Sequence, residues 1–125
     1  MTIGQAIQQV DETRDNTFSN DIKIAWLSNL DWQIKTQIYD THVQNEPIRF
    51  NGYMSNTPLE TELLVPAPHD AIYLRWLEAQ VCYSLGEIED YNAAISLYNA
   101  VFSNFRDAYS RQHASLLTAG KRFRF

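Results

Sequence analysis

The chain has 125 residues, enough for one domain with a core of its own. With 45% apolar residues and only four Gly and four Pro, it reads as folded rather than disordered. Ten Lys and Arg against 15 Asp and Glu give −5. Three of those cations fall within residues 121–125, so seven face 15 anions before them, leaving a body at −8 and an end segment at +3.

An acidic body repels phosphate backbones, which argues against general nucleic-acid coating; the basic end alone is too short for that role. No apolar run approaches the roughly 18 residues of a membrane span, and MTIGQAIQQVDETR lacks the charged start and apolar core of a signal peptide. A single Cys82 excludes an internal disulfide and a multi-cysteine zinc site. These features predict a soluble intracellular domain with neither redox nor export chemistry.

Ile3, Ala6, Ile7 and Val10 follow i, i+3, i+4, i+7, which predicts a short helix over Thr2–Thr13 with Thr2 as its cap. After a polar turn at Arg14–Phe18, a second helix is predicted from Ser19 or Asn20 to about Thr41. Its apolar positions are Ile22, Trp26, Leu27, Leu30, Ile34 and Ile38, with Asp21 at the positive end of its dipole. From His42 to Pro68 the breakers Pro47, Gly52, Pro58, Pro66 and Pro68 cluster. Pro47–Phe50 and Thr61–Val65 resemble strands, which predicts either a small β-hairpin or an extended arm between the second and third helices.

Pro68 is positioned to open a third helix and Gly86 to stop it. Ile72, Tyr73, Leu74, Trp76, Leu77, Val81, Tyr83 and Leu85 cover well over half its circumference, as expected of a central helix touched on two sides. A fourth helix is predicted from Glu87 to about Gln112. Ile88, Tyr91, Ile95, Tyr98, Phe102, Phe105 and Tyr109 are spaced 3-4-3-4-3-4, a seam expected to pack on the third helix as an antiparallel hairpin. A helix this long leaves open that part of the seam lies between subunits. The hairpin does not fit a tetratricopeptide unit, because Tyr91 falls where a small residue is needed and no second copy occurs.

No catalytic constellation emerges. His42, His69 and His113 form no HxxxH or HExxH pair. His69 and Asp70 are adjacent at a helix start, where side chains do not face each other. Glu60 and Glu62 share one side of the strand-like run but have no further oxygen ligand nearby, so a solvated face is the ordinary reading. Cys82 has no His or Lys placed to activate it and reads as a small core residue. An enzyme and a cofactor are therefore not expected.

The end segment is different. Lys121-Arg122-Phe123-Arg124-Phe125 alternates cation and ring, which in an extended strand puts arginines on one side and phenylalanines on the other. Such a segment suits docking on another protein by strand addition and acidic contacts, although a solvated end also remains open. The predicted architecture is thus mainly α: a four-helix domain over residues 1–113 with an arm at about 43–67, and an extended docking tail at 114–125.

The succession VDETR, DIKIAWLSNLDWQI, FNGY, TELLVPAPHD, WLEAQVCYSLGE, the YN…YN spacing and terminal RFRF resembles small head–tail connector (adaptor or neck) proteins of long-tailed bacteriophages and prophages. The resemblance covers nearly the whole chain. It implies a subunit of a ring, twelvefold in the virion and open to being monomeric in solution, seated below the portal protein at the head–tail junction. It also implies a tail-side neck or completion protein as a second partner, and a channel through which DNA passes without tight binding. Residence would be the host cytoplasm before assembly and the virion after it, with no membrane involved. On this resemblance Lys121, Arg122, Phe123, Arg124 and Phe125 would dock on the portal, and Ile48, Arg49, Phe50 and Tyr53 would form an inter-subunit arm. A small helical protein-binding adaptor or regulator of phage origin is the alternative.

Overall fold

The structure is a computed structural model and describes residues 1–116. α1 spans Ile3–Thr13 and buries Ile3, Ala6, Ile7 and Val10, the predicted stripe. Its cap is reciprocal: Thr2 Oγ1 accepts from the Gln5 N–H at 3.1 Å, and Gln5 Oε1 accepts from the Thr2 N–H at 2.9 Å. Two further N–H groups of the first turn, which have no helical partner, are taken by the middle segment. Ile3 N–H donates to the Thr61 carbonyl at 3.0 Å and Gly4 N–H to the Leu59 carbonyl at 2.9 Å. Gly4 permits this approach, since a Cβ there would lie 3.3 Å from Leu59.

α2 spans Asn20–Gln37, capped by Ser19 Oγ. It ends earlier than predicted, and a single 3₁₀ turn at Tyr39–Thr41 follows. Side chains compete for its last carbonyls: Thr41 Oγ1 bonds to the Gln37 and Ile38 carbonyls, and His42 Nδ1 lies 2.6 Å from the Ile38 carbonyl. The buried sector is also wider than predicted. Ile24, Leu27, Leu30 and Ile34 are buried together with Lys23, Ser28 and Asp31, whereas Ile22 is 41% exposed. Two neighbours explain this. α1 meets one side, where Lys23 Nζ pairs with Asp11 at 2.6 Å, and the middle segment covers the other through Ser28 and Asp31.

The hairpin alternative does not form; among the described residues the middle segment contains no strand ladder, only single antiparallel bridges from Thr2 to Glu62 and from His42 to Ser115. The physical reason is competition for backbone groups. Thr61 and Leu63, which a hairpin would pair with Pro47–Phe50, instead bond to the start of the chain through Ile3 and Met1.

α3 spans Ala71–Ser84 and begins three residues later than Pro68, after successive turns at residues 66–70. Gly86 stops it with φ +73°, and the Gly86 and Glu87 N–H groups donate to the Tyr83 and Cys82 carbonyls. That bond pair, with glycine in the left-handed region, is a Schellman cap. α4 spans Ile88–Gln112 and packs antiparallel on α3, which also meets α1 and α2. The predicted central position of α3 and the helical hairpin are both present. Tyr98 and Phe105 of the seam are buried, while Ile88 is 71% exposed. At about 1.5 Å per residue α4 outruns α3 by roughly 16 Å. Its last turns therefore pack on other elements, with the Phe105 ring 6.3 Å from Tyr39 and 5.3 Å from His69.

Candidate functional site

The arm's named residues separate into two groups. Phe50 is buried against Trp32 and Tyr53, with ring centroids 4.9 and 5.0 Å away. Tyr53 donates its N–H to Ser28 Oγ at 3.0 Å and its hydroxyl to Asp31. Ile48 is half-buried, and Arg49 is exposed. The backbone between Phe50 and Tyr53 requires Gly52: φ is +86°, and a Cβ would lie 3.2 Å from both Ser28 Oγ and Trp32 Nε1. Phe50 and Tyr53 thus anchor the arm to α2 of the same chain, and Arg49 and Met54 are among the residues it presents outward. The predicted docking residues Lys121–Phe125 lie outside the described residues. The Ala114 carbonyl accepts from the Val43 N–H at 2.8 Å, which places residue 114 beside the residues that follow α2.

The strongest polar arrangement was not singled out in sequence. Asp31 is fully buried in α2 and accepts three hydrogen bonds, from Tyr73 Oη at 2.7 Å, Leu64 N–H at 3.1 Å and the Tyr53 hydroxyl. Tyr73, itself fully buried, also accepts the Val65 N–H at 2.7 Å. The cluster pins residues 53–65 across α2 and α3. Burial raises the Asp31 pKa above the ordinary value of an aspartate, with the bonds from Tyr53, Tyr73 and Leu64 opposing that rise. Burial also pushes the Tyr73 and Tyr53 hydroxyls well above their ordinary range, with Asp31 adding to it, so both stay protonated donors. The signal available in sequence is an acid four residues after Leu27 and three before Ile34, on the stripe those two residues define, since carboxylates are rarely buried unless bonded.

A second feature is a cavity of about 440 Å³ between the arm, residues 64–69 and the end of α4. Tyr39, Ile48, Leu64, Pro66, Phe105 and Tyr109 form its apolar walls. Gln44 closes one side by donating to the Tyr39 carbonyl and to Tyr109 Oη. His69 and His113 reach this cavity but His42 does not; its Nε2 lies 3.1 Å from Ser110 Oγ.

The other titratable candidates are dispersed. Glu62 pairs with the Met1 amino group at 3.2 Å, whereas Glu60 is exposed. Cys82 is buried, and that burial raises its thiol pKa, which favours the unreactive protonated form. Glu78 is 4% exposed; its Oε2 meets Arg75 at 3.4 Å, and its Oε1 has no hydrogen-bond partner among the described residues. Among the described residues no three His, Cys, Asp or Glu side chains group as a metal site, and no helix is long and apolar enough to cross a membrane.

No known protein family, curated protein or solved structure matches the chain.

Proposed function

We propose that this chain is a structural virion protein of a long-tailed bacteriophage, a head–tail connector subunit that forms a ring below the portal. The ring, twelvefold in this reading, joins the DNA-filled head to the tail and extends the DNA channel. The observation that supports this best is the placement of the stretches carrying the resemblance. LLVPAP supplies Leu64 and Val65 to the Asp31–Tyr73 cluster, WLEAQ…YSLGE is α3 with its cap, and both YN pairs lie on α4. These stretches serve packing and shape, as expected where the product of a sequence is a fixed subunit surface. The acidic body supports the same reading, since a channel must let DNA pass without the counterion-releasing contacts that hold it.

In this reading Lys121–Phe125 docks on the portal, Arg49 on the outward side of the arm faces a neighbouring subunit, and a tail-side neck protein meets the opposite face. The test is electron microscopy of the protein mixed with its portal, full length and lacking residues 121–125. A ring on the portal that disappears with the deletion, while the helical circular dichroism stays unchanged, supports the reading. Full-length protein that leaves the portal bare overturns it.

A further inference from the structure

The turn between α3 and α4 ends in an apolar tip. Tyr83 is 70% exposed, Leu85 49% and Ile88 71%. The Tyr83 and Tyr91 rings lie 5.4 Å apart beside a shallow cavity of about 260 Å³. Ile88 is the first position of the α4 seam, and α3, which ends at Ser84, does not cover it. The rim is acidic: Glu87, Glu89 and Asp90 are all exposed. Arg14 approaches Glu87 at 4.0 Å and Asp90 at 3.6 Å, so three carboxylates and one guanidinium leave the tip at −2. Among the described residues no ion pair takes Glu89. Clustered exposed apolar side chains inside a charged rim are the usual form of a protein-docking surface.

We propose that this tip is the seat for the Lys121–Phe125 segment of a second copy of this chain. The chemistry is complementary: a segment at +3 with two phenyl rings meets a tip at −2 with an apolar hollow. The hollow exceeds the roughly 150 Å³ that takes up benzene in an engineered cavity.

Reach works against the chain's own segment, which would have to run fully extended along nearly all of α4 to bring even its last ring to the tip. Ser115 is bridged to His42, which contacts Ser110, so the chain passes beside Ser110 as it leaves the described region. Along α4, Ser110 lies about 33 Å from Ile88 at 1.5 Å per residue. From Leu116 a fully extended chain covers at most about 25 Å to Phe123 and about 32 Å to Phe125, so the two rings cannot both be seated there without strain. A contact of one copy's end with another copy's tip is head-to-tail, and such contacts continue until a ring closes or a filament grows. This goes beyond the connector reading and does not depend on it. On a portal the segment would exchange this seat for the portal's own.

Sedimentation velocity of the full chain over a concentration series tests the proposal. Association should strengthen with concentration and weaken with salt. Glu89→Lys, which spoils the tip, and the double change Phe123→Ala with Phe125→Ala, which spoils the segment, should each raise the dissociation constant at least about tenfold. Circular dichroism on each variant checks that the helices remain. The deciding sample mixes the two variants: one intact segment and one intact tip should give a heterodimer that grows no further. A full chain that stays monomeric at every concentration, or association that Glu89→Lys leaves unchanged, overturns the proposal, as does a mixture of folded variants that does not pair. Portal binding is not part of this readout, so failure here and failure of the connector reading are separate results.

Discussion

Removing the Tyr73 hydroxyl is the sharpest test of how the middle segment is held. Tyr73→Phe keeps the ring in its fully buried position and deletes one oxygen that makes two bonds, accepting from Val65 N–H and donating to Asp31 Oδ1. Val65 is fully buried, so its N–H is left without water or a partner. An unpaired buried donor costs about 1–3 kcal/mol, and a lost hydrogen bond to a charged group about 1.5–3 kcal/mol. The two sum to about 2.5–6 kcal/mol, a large part of the roughly 5–15 kcal/mol that holds a domain folded. At this chain length that corresponds to a fall of roughly 8–30 °C in Tm. Tyr53→Phe is the control. Tyr53 is only half-buried, and Asp31 Oδ2 keeps its bond from Leu64 N–H, so about 1 kcal/mol is expected. Urea denaturation followed by far-ultraviolet circular dichroism and tryptophan fluorescence measures both. If Tyr73→Phe costs less than about 1 kcal/mol, or no more than Tyr53→Phe, the cluster does not hold the segment as argued.

Other expectations follow from the same geometry. Because the folded pKa of Asp31 lies above 3.8, the folded state binds the proton more tightly than the unfolded one. Stability from this group is therefore fully present below that value and is lost as pH rises through the folded pKa. The stability of the parent relative to Asp31→Asn should fall over that window, and a pH series of urea midpoints that runs parallel for the two proteins would contradict it. Gly52→Ala places a side chain at φ +86° and 3.2 Å from Ser28 Oγ and Trp32 Nε1, for an expected loss of about 1–2 kcal/mol. Trp32 lies beside the new methyl group, so its fluorescence should report the change. Glu78→Met removes a buried carboxylate whose Oε1 is unpartnered among the described residues, and thermal denaturation should show a gain of about 1 kcal/mol.

Helix positions were legible because each depends on neighbours in sequence. The Thr2 cap, the Asp21 end of α2, the Gly86 stop and the α4 seam are set within one or two turns, and all four stand where the pattern put them. α2 ends at Gln37, a few residues short of the end its periodicity predicts, since Thr41 and His42 capture its carbonyls through side chains that periodicity does not register. Thr61–Val65 does have an extended pattern, but a pattern of that kind does not name its partner. The candidate docking residues divide the same way. The charge and ring alternation of Lys121–Phe125 is plain in sequence, and the exposed tip that complements it is not, because its residues are shared between two helices.

Sequence alone determined the helical class, the order of elements and the separation of an acidic body from a basic, aromatic end, because these follow from local periodicity, capping and a count of charges. Tertiary structure decided which buried acid is tolerated and where the middle segment lies. Asp31 is 42 residues from Tyr73 and 33 from Leu64, and only folding brings their donors to its carboxylate. Likewise the unpaired N–H groups at the start of α1 meet carbonyls of the middle segment only in three dimensions, and that demand for partners is what replaced a hairpin with an arm laid along the body.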